Sequence, residues 1–123
     1  MTMRISDQLR AAKVLAVEHN TKREYAVDAE GQTVDVYSPR ACRFCAWGAA
    51  CRVAGPAVPG VNHPLMSRLD AAAQELLPNW ISKIPWTSVS AAIINDELGV
   101  EAVAQMFDRA IRNAEREEGS TCP

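Results

Sequence analysis

The chain predicts a mainly α domain of the α+β kind: a compact body of four to five helices with one β-hairpin, packed around a central apolar helix. Three observations lead there. Apolar residues recur at helical spacing in several separate stretches, one segment alternates in strand fashion, and residues 39–54 are apolar nearly all round with a marker at each end.

The first helix is expected from Ser6, a good N-cap, to about His19. Ile5, Leu9, Ala12 and Ala16 share a stripe, with Leu15 beside it. Next, Glu24 to Asp28 and Gln32 to Tyr37 alternate around Ala29-Glu30-Gly31, where Gly31 can supply the positive φ of a short turn. Two strands alone are marginal in water, so this hairpin must pack on helices.

The central helix is read from Ser38 as N-cap and Pro39 at the first helical position to the stop at Gly55-Pro56. On a helical wheel Cys42, Cys45, Ala46, Ala49 and Val53 share one face, and Phe44, Trp47 and Cys51 lie broadly opposite. Such a helix is ordinarily buried, and small residues such as Gly48 and Ala49 admit close neighbours. Phe44, Cys45, Trp47, Gly48 and Ala49 are therefore the expected structural core.

A Gly/Pro-dense loop, residues 55–64, leads to a third helix over about 64–77, where Leu65, Leu69, Ala72 and Leu76 recur until Pro78 ends the run. Trp80, Ile81, Ile84 and Trp86 form an apolar stretch interrupted by Pro85. A short helix through Ala91 to Ile94 follows, and Asn95-Asp96 is expected to break it. The last helix, about 99–117, carries Val103, Met106, Phe107, Ala110, Ile111 and Ala114 on one stripe. Residues 1–118 are read as one domain and 119–123 as a frayed tail.

Composition narrows the functions. At 123 residues, one domain of this size buries roughly two-thirds of its unfolded surface, so folding needs neither metal nor disulfide. The 13 basic and 15 acidic residues give a net charge of −2, without the cationic excess that phosphate neutralisation favours. Nucleic-acid binding by electrostatics is therefore disfavoured. No stretch approaches a membrane span and the N-terminus lacks the apolar run of a signal peptide, so the expectation is a soluble, cytoplasmic protein, monomeric or homodimeric, whose cysteines are free thiols.

Arg43-Phe44-Cys45-Ala46-Trp47-Gly48-Ala49, preceded by an Asp28-Ala29-Glu30-Gly31 turn and followed by Asn95-Asp96 before a helix with Asp108-Arg109-Ala110-Ile111, resembles a family of small uncharacterised bacterial and phage proteins. Those sequences favour an aromatic residue then Cys-x-x-Gly-Ala at the equivalent helix. The resemblance covers about residues 6–114, and Cys42 and Cys51 are additions to its pattern. It implies an architecture and no activity.

Two classes of function compete. Cys42 and Cys45 have the spacing of half a zinc site, to which His63 and Cys122 could add ligands, but no second pair follows; the plainer reading is buried small hydrophobes. The same pair could do thiol redox chemistry, although no βαβ pattern surrounds it. A dyad of Cys42 or Cys51 with His63 has no motif behind it, and Asn95-Asp96 is more simply a cap than a pocket. Trp80 and Trp86 point instead to a protein-binding surface, since tryptophan is enriched at interface hot spots, although covering the open end of the core explains them too. The reading favoured is a non-enzymatic interaction module without a cofactor, of phage or mobile-element origin as the resemblance implies, binding an unidentified protein. A zinc or thiol-redox protein is the alternative.

Overall fold

A computed structural model describes residues 4–55, 64–76 and 90–120. The order is helix α1 (Ile5–Glu18), strands β1 (Ala26–Val27) and β2 (Arg43–Phe44), then α2 (Ala46–Ala54), α3 (Pro64–Leu76), α4 (Ser90–Ile93) and α5 (Val100–Ser120). Between α4 and α5 the chain widens into a π-helical turn, Ile94–Leu98. The protein is thus mainly α with a small antiparallel β part. His63, Trp80, Trp86 and Cys122 lie outside the described residues.

Helix α1 packs against α5 and α2, and α3 against α5. The stripe of α1 buries Leu9, Ala12 and Ala16, while α5 buries Val103, Met106, Phe107, Ala110, Ile111 and Ala114, as their spacing predicts. Leu65, Met66 and Leu69 of α3 and Ile94 of the π turn complete one continuous core. Each fully buried side chain of this size contributes roughly 1.5–3 kcal/mol relative to exposure.

Three local expectations are corrected. Ser6 does not cap α1; Arg4 holds that position with extended backbone and no capping side chain, and Ser6 lies buried in the first turn. Its N–H and hydroxyl both donate to the Glu118 carboxylate, so a residue from α5 performs the capping.

The central helix begins seven residues later than expected, at Ala46. Ser38 does act on local backbone, but only in a turn: its Oγ accepts from Arg40 N at 3.1 Å, and Ala41 N donates to Ser38 O. Residues 42–44 then find partners on both sides, and pairing with distant backbone overrides the helical pattern. Ala26 lies opposite Phe44 and Val27 opposite Arg43, while Asn20 bridges Phe44 from the other edge. The expected second hairpin strand contributes one bridge, Val27 with Thr33, supported by Asp28 N donating to Gln32 O and Val34 N to Ala26 O. The turn between them is built by Asp28, whose Oδ1 accepts from Glu30 N and Gln32 N.

Asn95-Asp96 does not break the helix. The π turn carries the chain past it and stops at Gly99, whose φ of 92° suits glycine and whose N–H donates to Ile94 O. The wider turn takes the Asn95 side chain into the core, where it is fully buried.

Candidate functional site

Four residues converge on Asn95: its neighbour Asp96, the adjacent pair Asn20 and Thr21, and Ala46. Its Oδ1 accepts from Asn20 Nδ2 at 2.8 Å and from Ala46 N, the first N–H of α2, at 3.0 Å. Its Nδ2 donates to Thr21 O at 2.9 Å and to Asp96 Oδ1 at 3.1 Å. An amide has two donors and two acceptor positions, so this one is fully used. Asn20 is fixed in turn by donating to Ala16 O at 2.7 Å.

Asp96 extends the network outward, its Oδ1 accepting from Arg23 N at 2.9 Å. Arg23 has φ 71°, the only left-handed conformation of a non-glycine residue among those described. For a long side chain that costs about 1–3 kcal/mol, and it persists only where the surroundings over-determine it. Here they do: Thr21 is tied on one side by Asn95 and by its own N–H to Phe44 O, and Arg23 by Asp96.

The other side of the junction is the start of α2. Cys45 is its N-cap, with extended backbone and its Sγ accepting from Gly48 N at 3.3 Å. Burial pushes this thiol up to about 11, against the backbone N–H groups of Gly48 and Trp47, which favour the thiolate. Cys45 N donates to Tyr25 O at 3.3 Å, and that carbonyl lies where a Cβ on Gly48 would stand. Only glycine admits the crossing of β1 over α2 at this point.

Cys42 and Cys45 therefore do not share a helix face. Cys42 is exposed before β2, with its N–H donating to Val27 O at 3.0 Å, and Cys45 is a buried cap. Cys51, on α2, is half-buried and its thiol is also raised by burial. Zinc at Cys42 and Cys45 would have to ionise a thiol that burial holds protonated. A redox pair needs a depressed thiol, the reverse of Cys45. Among the described residues no group of three or more His, Cys, Asp or Glu is placed to hold a metal ion. His63, the third ligand of that reading, and Trp80 and Trp86 of the binding reading lie outside the described residues.

On the outer side of this junction, residues 19–45 form a small layer ordered as 19–21, β2, β1 and 32–34. Phe44 N donates to His19 O at 2.7 Å at one edge, and the Asp28 turn closes the other. Arg52 of α2 secures its loop from beneath, donating to Val36 O at 2.7 Å and Ser38 O at 3.0 Å with its guanidinium 5.8 Å from the Phe44 ring centre. Tyr37 Oη donates to Gly55 O at 3.2 Å. Exposed on this layer are Tyr25, at 55 %, with Lys22, Arg23, Arg40 and Arg43; Glu24, Glu30 and Asp35 are also exposed there. None of the four cations joins an ion pair among the described residues, and neither do Arg52, Arg112 and Arg116, whereas Arg4, Arg10, Lys13, Arg68 and Arg109 do.

The sequence reading missed this arrangement because it treated Asn95-Asp96 as a local cap. The signal available was their place directly after the apolar run Ala91-Ala92-Ile93-Ile94, where a polar pair is as well suited to an interior network.

Among the described residues no helix is long and apolar enough to cross a membrane. No curated protein and no solved structure matches the chain. The model of one protein family does, over residues 1–113, and the chain belongs to that family, DUF6197, a family of unknown function.

Proposed function

We propose that this protein is a small non-enzymatic interaction module that binds another protein through the outer layer of residues 19–45. The observation that supports it most is Arg23, held at φ 71° by the Asn95–Asp96 network on a layer that also exposes Tyr25 and three cations without an ion pair among the described residues. Strain of that kind is informative where it fixes the backbone of a surface residue. Arginine and tyrosine are enriched at interfaces, being large and able both to pack and to hydrogen-bond, and a rigid backbone frame reduces the ordering cost of binding. The partner is expected to present carboxylates to Arg23, Arg43 and Arg40. The bacterial and phage setting of the resembling sequences would make it a host protein. Trp80 and Trp86 are proposed as a second contribution to the same binding.

A photo-crosslinking amino acid in place of Tyr25, used in native cells, tests this. One discrete adduct, lost when Arg23→Glu is added, is the expected result. Adducts no more abundant than those from the same group at exposed Glu101 on α5 would overturn it. With the partner in hand, Arg23→Glu should weaken binding at least tenfold, about 1.4 kcal/mol.

A further inference from the structure

We draw no further inference here: the strongest candidate, the open edge of the 19–45 layer at Thr33, whose N–H and C=O face away from β1, carries nothing because nothing in the structure shows what covers it.

Discussion

Ser6 and Glu118, 112 positions apart, join the beginning of α1 to the end of α5: both the N–H and the hydroxyl of Ser6 donate to the one carboxylate, at 3.1 and 2.7 Å. These bonds hold the Glu118 carboxyl below the usual carboxylate range. The unfolded chain therefore binds this proton more readily, and the contribution to stability is present above the ordinary carboxylate range and lost as pH falls through the lowered value. Glu118→Ala should cost less than about 1 kcal/mol, because the carboxylate is in contact with solvent. Thermal unfolding from pH 7 to pH 3 should show the difference between Glu118→Ala and the parent shrinking as acid is added.

Replacing Asn95 strikes a junction rather than a surface. Asn95→Leu would leave Ala46 N and Thr21 O without their side-chain partner and take from Asn20 Nδ2 one of its two acceptors, in or near the core. At about 1–3 kcal/mol for each buried group left unpaired, the loss should reach roughly 3–5 kcal/mol. Urea unfolding measures it, and a loss under about 1 kcal/mol would mean that the network is not structural.

Gly48→Ala sets helix propensity against space. Alanine gains about 1 kcal/mol in an exposed helix, but its Cβ here would overlap the Tyr25 carbonyl, which is main chain and cannot rotate away. The expected outcome is a net loss of about 2 kcal/mol or more, read as a fall in melting temperature.

Thiol labelling should rank the cysteines by exposure. In a Cys122→Ser background, a disulfide reagent at neutral pH should modify Cys42 at once, Cys51 slowly and Cys45 only on unfolding. Because burial pushes Cys45 up to about 11, the folded state holds this proton where the unfolded one releases it. Stability should consequently fall between the ordinary thiol range and about pH 11. Cys45→Ser, measured over the same range, should flatten that fall.

Arg23→Gly separates stability from binding. Glycine relieves the left-handed strain by more than the added freedom of the unfolded chain costs, so the variant should gain about 1 kcal/mol in urea unfolding. The same variant should lose the partner proposed above, since the guanidinium is gone. A variant that binds as well as the parent would remove Arg23 from the interface.

How far the sequence could be read depended on the range of the forces involved. The stripes of α1, α3 and α5 were visible because periodic burial is written within one helix, as Leu9, Ala12 and Ala16 or Val103, Phe107 and Ala110 show. The Asp28 turn was visible for the same reason, being closed by bonds two and four residues away. The start of α2 was misread because its determinants are remote. Ser38-Pro39 has the local chemistry of a helix start, and only pairing of Phe44 with Ala26 and His19 turns that segment into strand. The candidate site was hidden for a related reason. Asn95 has the local propensity of a breaker, while its four partners lie in its neighbour Asp96 and in segments 49 to 75 positions away.

That distance bears on how the chain is made. Helix α2 has nine residues, too few to persist by itself in water, and the partner of its first N–H is an amide 49 positions further on. The first N–H of α2 therefore finds its partner only after Asn95 has been synthesised, and the contacts of α5 with α1 and α3 come later still. Truncations ending before Asn95 should accordingly be soluble only with a chaperone's help.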